Sequence, residues 1–413
     1  MRILVVTETV PYPLDTGGRI KTFHTLQALA REHEVHCHAF ARTPVQRDAA
    51  LPALQAVCAS VELHVVPRGL HRELGFLARS LATGLPFTVR RHFDPGACAR
   101  IAAVCRERRI DAVYCDHLSM FEYAIRTGRP IVHDAHNVEY RIVERYARVL
   151  GLDPRRVIYE REWRRLRDYE AAMYRRSALV FAVSEIDARD IDTLAGGEAP
   201  IVAVPIPVDV SGVTPIGELT GDPHVLFLGT LDWPPNGDAV NFFLQDVWPH
   251  VRREVPAARF TVVGRGETAL QRRWAGAPGV AFTGWVPDIE PWIRQSRLMV
   301  VPIRSGSGMR VKILDAFARG LPVVATSVGV EGIAAIPGTH LEVADDAGAF
   351  AHATVALLRD ATRARACADA ARALALARYD TPAVGAQQNA AIRRHLAGPL
   401  ESPDAAAATK GGV

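Results

Sequence analysis

Two stretches of this chain put glycines, small polar residues and cations where an anion could be held. The first is Pro13-Leu-Asp-Thr-Gly-Gly-Arg-Ile-Lys21, directly after the strand-like run Ile3–Thr7. A strand, a glycine pair and a helix start bring free backbone N–H groups and the positive end of a helix dipole to one point. Gly17 and Gly18 let a ligand approach the backbone closely. The stretch is not GxGxxG and no acidic residue follows at the ribose-reading distance, which disfavours a nicotinamide dinucleotide. The second is Arg304-Ser-Gly-Ser-Gly-Met-Arg-Val-Lys-Ile-Leu-Asp315 and its continuation to Val324. Here a strand, Leu298–Pro302, runs into a Gly/Ser loop, an amphipathic helix over Met309–Arg319, a Gly-Leu-Pro stop and another strand. Arg310 and Lys312 stand near the helix N-terminus, where cations oppose the dipole and cost stability unless an anion lies there. On that reading Asp315 lies two helical turns from Ser307, so both face one ligand.

Of the 49 basic residues 46 are Arg, and the lysines are Lys21, Lys312 and Lys410. A GC-rich genome accounts for most of this bias. Lys410 lies in a small-residue tail, whereas Lys21 and Lys312 each follow glycines, where a compact point charge suits a phosphate. Among fifteen histidines, His117 and His136 fall at the carboxyl ends of the strand candidates Ala112–Cys115 and Ile131–Asp134. For both, an ordinary loop histidine is the competing reading.

The elements that must position these residues alternate. Strand candidates Ile3–Thr7, Val35–Phe40, Val61–Val66, Ala112–Cys115, Ile131–Asp134, Leu179–Val183 and Ile201–Val204 are separated by helical patterns such as Ile20–Glu32, Asp94–Arg108 and Pro154–Arg176. That alternation implies a parallel sheet wrapped by helices. Residues Pro205–Pro223, with four prolines and three glycines, read as a linker. Beyond it strands are expected at Val225–Leu228, Phe260–Val263, Val280–Phe282, Leu298–Pro302 and Pro322–Ala325, with helices near Asp238–Val255, Met309–Arg319 and Ala347–Ala377. The fold class is α/β, with two Rossmann-like domains, 1–209 and 210–380, facing each other across a cleft where ligands bind. Residues 381–396 form a helix that crosses back to the first domain, and 397–413 a disordered tail.

With 413 residues, 49% of them hydrophobic and 23% charged, the chain builds a core and is not intrinsically disordered. Its apolar runs fall short of the ~18–20 residues that span a bilayer. Its first residues carry no signal-peptide pattern. Six cysteines without CxxC or zinc spacing read as buried thiols of a reducing cytosol. The run Arg155–Arg176 holds eight Arg against four acids. It reads first as a solvated helix face laced with pairs such as Glu160–Arg164, and second as a docking face for anionic lipid headgroups. No aromatics interleave with cations in a nucleic-acid motif, so nucleic acid is excluded as a partner.

Gly306–Val324 resembles the signature of family 4 glycosyltransferases, retaining enzymes of the GT-B fold. That family usually carries two glutamates eight residues apart, then Ala, small residues, Gly and Pro-Val-Val. The glycine pair after the first strand, His133-Asp-Ala-His-Asn-Val-Glu139, Ala182-Val-Ser-Glu185, Phe227-Leu-Gly229, Val262-Val-Gly-Arg-Gly266, Phe282-Thr-Gly-Trp-Val286 and Gly329-Val-Glu-Gly332 agree in order and spacing over some 350 residues. Ser307 stands at the first glutamate position and Asp315 at the second. The resemblance implies that Asp315 binds the nucleotide ribose, with Gly264, Trp285 and Val286 in nucleotide-binding positions. The family's first glutamate holds donor-sugar hydroxyls, a task that falls here to Ser307 and the N–H groups of Gly308 and Met309. The loop Gly229–Gly237 lacks the Arg/Lys pair that many members use on the diphosphate, so Arg310 and Lys312 take that role. Its Asp-Trp-Pro-x-Asn variant resembles a bacterial subgroup linked to surface-glycan genes. His117 resembles the catalytic-site histidine beside the donor sugar, and Gly17, Gly18, Lys21 and His136 join the diphosphate and sugar contacts.

The implied reaction moves a sugar from a nucleotide diphosphate sugar to a hydroxyl acceptor with retention, in polysaccharide or glycoconjugate synthesis. The acceptor is a glycan, a lipid-linked glycan or a small molecule. No cofactor and no metal are expected, and the expected place is the cytoplasm, with peripheral contact at an anionic membrane. A small-molecule (antibiotic-type) transferase, a GT-B epimerase or hydrolase, and an inactive scaffold are the rivals.

Overall fold

The computed structural model describes residues 1–14, 16–66, 75–76, 80, 84–149, 153–217, 219, 222–266, 269–306 and 308–396. Two parallel sheets organise the chain. The first runs through β1 (Arg2–Thr7), β2 (Glu34–Ala41), β3 (Ser60–Val65), β4 (Ala112–Asp116), β5 (Ile131–Ala135), β6 (Leu179–Ala182) and β7 (Ile201–Ala203), in the order β3-β2-β1-β4-β5-β6-β7. The second holds β8 (His224–Leu228), β9 (Arg259–Val263), β10 (Val280–Gly284), β11 (Leu298–Val301), β12 (Val323–Ala325) and β13 (Glu342–Val343), in the order β10-β9-β8-β11-β12-β13. All pairings are parallel, from Ile3 opposite Val35 to Val324 opposite Glu342.

The central strands are apolar without alternation because helices cover both faces. Along β1, Ile3 and Val5 enter one core cluster, and Leu4 and Val6 the opposite one. The helix Thr381–Leu396 crosses back and closes the first of these faces with Val384, Ile392 and Leu396. It lies against the helix Gly17–Ala30, and Asn389 donates to the Ala28 carbonyl at 2.8 Å. The linker is packed rather than loose, since Val208, Val210 and Ile216 join the second core.

Each sheet winds outward in both directions from a central pair, β1/β4 and β8/β11. At such a switch point the loops diverge and leave a crevice beyond the strands' carboxyl ends. Thr7, Asp116, Leu228 and Val301 end those four strands.

Several expectations need correction. The stretch Asp238–Val255 is broken into a helix from Pro234 to Phe242, a π-turn Phe243–Val247 and a helix Trp248–Glu254 with a proline in its first turn. Ala347–Ala377 splits at Asp360, which ends one helix and caps the next by accepting from the Arg363 N–H. Strand β13, two residues long, carries too little pattern to be seen in sequence. The helix expected over Met309–Arg319 begins at Val311, with Gly308 in a left-handed conformation at φ 79°. Gly308 and Met309 therefore precede the helix, and the two-turn relation between Ser307 and Asp315 does not apply. Ser307 itself and the tail 397–413 lie outside the described residues.

Candidate functional site

The first sheet's switch point is organised by Asp116, which is fully buried. Its carboxylate accepts from the Thr7 hydroxyl at 2.7 Å and the Thr22 hydroxyl at 3.0 Å. It also pairs with His136 Nε2 at 2.7 Å and His117 Nδ1 at 3.1 Å. The two imidazoles lie with ring centroids 3.8 Å apart, too close for both to be charged comfortably. Burial depresses the His136 pKa, helped by the charges of His117 and Lys21. Burial also pulls His117 down, but Asp116, Glu8 and Glu139 outweigh it and push this imidazole up to about 10. His117 is the cation of the pair and the more exposed ring. Its φ of +80° is rare for a side-chain-bearing residue. Strain of this kind persists where the surroundings over-determine it, commonly at functional sites.

Lys21 is not where the sequence reading put it. It is buried, and its ammonium pairs with Asp134. Asp134 also accepts from the Tyr114 hydroxyl at 2.7 Å, which in turn accepts from Gln388 of the C-terminal helix at 2.6 Å. Lys21 thus holds the floor of the site rather than a ligand phosphate. His136 is likewise turned inward and backs His117. Gly17 and Gly18 do open the helix Gly17–Ala30, and an added Cβ on Gly17 would stand 2.9 Å from Val311 Cγ2. The N-termini of the helices Gly17–Ala30 and Val311–Arg319 therefore meet across the cleft.

Some helix starts are capped by side chains, and others, including these two and those at Arg155 and Pro234, are not. Thr43, Asp94, Ser184, Asp346 and Asp360 cap their helices with side-chain oxygens. Thr16 and Arg310 make no such bond, and neither helix has an acid in its first turn. Lys312 sits in that first turn, with Asn236 Oδ1 at 3.0 Å and its ammonium 4.5 Å from the Phe227 ring centre. Burial, together with the charge of Arg310, lowers its pKa to about 7. Arg310 is buried over the Trp233 ring at 5.8 Å, and burial draws it down to about 10. Two cations at the N-terminus of one helix favour an anion.

Asp315 is half-buried and paired with Arg319 at 2.5 Å, and Arg319 is itself held by Glu290 at 2.7 Å. Gly264 (φ 152°) lies where a Cβ would be 2.0 Å from the Gly229 carbonyl oxygen, so its glycine serves backbone packing at the β8/β9 ends. Trp285 is 63% exposed just beyond β10, and Val286 packs on the core. Asp116, His117 and His136 offer donor atoms within 4.8 Å of one another, a spacing a metal could bridge. The Asp116 oxygens are already engaged by two hydroxyls and two imidazoles. Sequence reasoning passed over Asp116 as the organiser, as well as Arg145 and Glu331. Their signal is spatial: Asp116 is an ordinary acid until four partners converge on it.

Residues 17–211 match the family described as Glycosyltransferase Family 4, and residues 222–360 match Glycosyl transferases group 1. The chain belongs to the family 4 glycosyltransferases. Phosphatidyl-myo-inositol mannosyltransferase of Mycobacterium leprae is 33% identical over 217 residues, 50% of this chain and 56% of that protein. The chain thus spans about half the length of that relative. An uncharacterised 44.6 kDa protein of the Klebsiella pneumoniae cps region is 22% identical over 377 residues, 85% of this chain and 89% of that one. Among solved structures, sucrose-phosphate synthase from Thermosynechococcus elongatus superposes with a TM-score of 0.72 at 16% identity, covering 96% and 99% of the two chains. Anabaena HepE, in complex with UDP and glucose, gives 0.65 at 16% identity over 95% and 99%. These likenesses show the family's two-domain GT-B fold.

Proposed function

We propose that the protein transfers a sugar from a nucleotide diphosphate sugar to a hydroxyl acceptor with retention of anomeric configuration. One observation carries the reading: two uncapped helix N-termini meet across the cleft, with Arg310 and Lys312 at one of them. In the reaction the diphosphate gathers charge as the sugar leaves, and cations and N–H groups already in place stabilise that state more than the ground state. Arg310, Lys312 and the Gly17–Gly18 backbone take the diphosphate. Asp315 takes the ribose, exchanging its Arg319 contact, while Gly264, Trp285 and Val286 border the nucleotide. His117, cationic and held by Asp116, faces the donor sugar. Ser307 and the N–H groups of Gly308 and Met309 bond sugar hydroxyls.

No metal step is assigned, because side-chain cations and helix ends supply the positive charge; activity should survive chelation by EDTA. The HepE complexes contain UDP or UDP-glucose, which supports a nucleotide-sugar donor. The mycobacterial relative is named a phosphatidyl-myo-inositol mannosyltransferase, and the Klebsiella relative for a cps region. The first name supports a lipid-borne acceptor, and we assign contact with an anionic membrane to the helix on which Val157 and Ile158 stand exposed among arginines. The test is incubation with UDP-, GDP- and ADP-sugars and candidate acceptors, following release of nucleoside diphosphate and product stereochemistry. Release coupled to a retained glycosidic bond is expected; interconversion of donors without release would establish an epimerase instead.

A further inference from the structure

Arg310 follows two glycines, Gly306 and Gly308, both at positive φ, so contacts from outside bear on where it lies. The contacts come from the opposite domain. Arg145, on the helix Glu139–Val149 of the first domain, donates to the Gly306 carbonyl. The same guanidinium forks onto both oxygens of Glu331 in the second domain, at 3.3 Å each. Asn137 lies against Gly308, where an added Cβ would stand 2.3 Å from its Oδ1. Ser184 lies against Gly332 in the same way, at 3.3 Å. Glu331 also acts electrostatically on Arg310, whose charge it favours while Arg145 disfavours it.

The helix bearing Arg145 is itself rigidly held. The fully buried Glu170 accepts the N–H groups of Glu139 and Tyr140 at 3.0 Å each and the Tyr174 hydroxyl at 2.5 Å. A guanidinium on a fixed helix with three acceptors in the other domain has a planar geometry that a lysine cannot copy. Glu331 thus interacts with two arginines, one from each domain, bonding Arg145 and acting electrostatically on Arg310.

We propose that Arg145, through Glu331 and the Gly306 carbonyl, is a positioning residue that brings Arg310 into place only in the closed arrangement of the domains. This rests on the reading that Arg310 and Lys312 hold the donor diphosphate. A displacement of about 1 Å at such a cation is enough to lower turnover about 100-fold. The nucleotide's other proposed contacts, Lys312, Asp315, Gly264, Trp285 and Val286 on the second domain and the Gly17–Gly18 backbone on the first, do not pass through Arg145. Loss of Arg145 therefore lowers kcat more than it weakens the nucleotide.

The experiment compares Arg145→Ala, Arg145→Lys, Glu331→Ala and the Arg145→Ala/Glu331→Ala pair in the full chain, with Lys312→Ala alongside. Nucleoside diphosphate release gives kcat and KM, and calorimetry gives affinity for UDP and GDP. Expected for Arg145→Ala is a kcat lower by about 10- to 100-fold, with nucleoside diphosphate affinity within about two-fold of wild type and an unchanged Tm. Arg145→Lys keeps the charge and recovers part of the loss, and the double variant is less impaired than the product of the two singles. Wild-type kcat in Arg145→Ala, or losses that simply multiply in the double variant, would overturn the proposal. If Lys312→Ala keeps full turnover while Arg145→Ala loses it, the diphosphate assignment fails instead.

Discussion

At the scale of single residues, the useful sequence signal was scarcity. Three lysines in an arginine-rich chain drew attention to Lys21 and Lys312, and the structure separates them. Lys21 is turned to Asp134 inside the first domain, whereas Lys312 stands at the cleft with a pKa lowered to about 7 by burial and by Arg310. Sequence spacing could not tell these cases apart, because both lysines follow glycines at a helix start and differ in which side of the helix faces the sheet. The Lys312 shift has a signed consequence. Above pH 7 the ammonium of the free protein gives up its proton, so binding a diphosphate there must take one up. Affinity for UDP or GDP should fall as pH rises from about 7, and calorimetry in buffers of different ionisation enthalpy should detect proton uptake; a pH-independent affinity from 6.5 to 9 would exclude a role for this charge. Asp315→Ala should raise KM for the nucleotide sugar and weaken inhibition by the free diphosphate. Unchanged nucleotide affinity in that variant would mean that Asp315 serves Arg319 alone.

At the scale of elements, twelve of the thirteen strands among the described residues were legible: the central ones are buried, continuous apolar runs bounded by turns, and the outer strands β3, β7 and β10, only partly buried, still stand between turns. What escaped was punctuation inside long helical patterns. Pro249, inside the expected helix Asp238–Val255, follows the π-turn at Phe243–Val247 and removes a backbone donor there, whereas the double cap at Asp360 breaks its helix without a glycine or proline beside it. The start of the Val311–Arg319 helix was misplaced for a related reason: Gly308 adopts φ 79° beside Asn137, a contact from another domain. Glycine's role is clearest at Gly264, where the β8 and β9 ends touch. Gly264→Ala would force a Cβ into the Gly229 carbonyl at a φ that side chains rarely adopt, and should cost on the order of 3 kcal/mol. Thermal melting should show a drop of several degrees in the second domain; an unchanged Tm would mean that the two strand ends separate easily.

At the scale of the whole molecule, the two-domain arrangement was readable from the duplicated alternation and the proline-rich break, but the contacts that join the halves were not. Arg145, Glu331 and the packed linker are set by where distant segments meet. Charge balance across the molecule also predicts its pH response. Burial holds His38 down to about 4 and His133 to about 3, while both would titrate near 6.5 in the unfolded chain. The unfolded state therefore binds more protons between pH 6.5 and those values, and stability falls as pH drops through that window, on the order of 3 kcal/mol per histidine. His117, raised to about 10, acts in the opposite sense: its contribution is complete below pH 6.5 and lost as pH rises through 10. Denaturant midpoints measured from pH 6.5 to 4.5 should decline steadily; a flat profile would contradict the burial of these imidazoles. The most direct measurement on the central claim is turnover at saturating nucleotide sugar in Lys312→Ala. A cation that meets the leaving diphosphate should be worth about 2–4 kcal/mol in the transition state, so kcat should fall by about 30- to 1,000-fold while the fold survives. A kcat near that of the wild type would contradict the assignment of the donor diphosphate to this helix end.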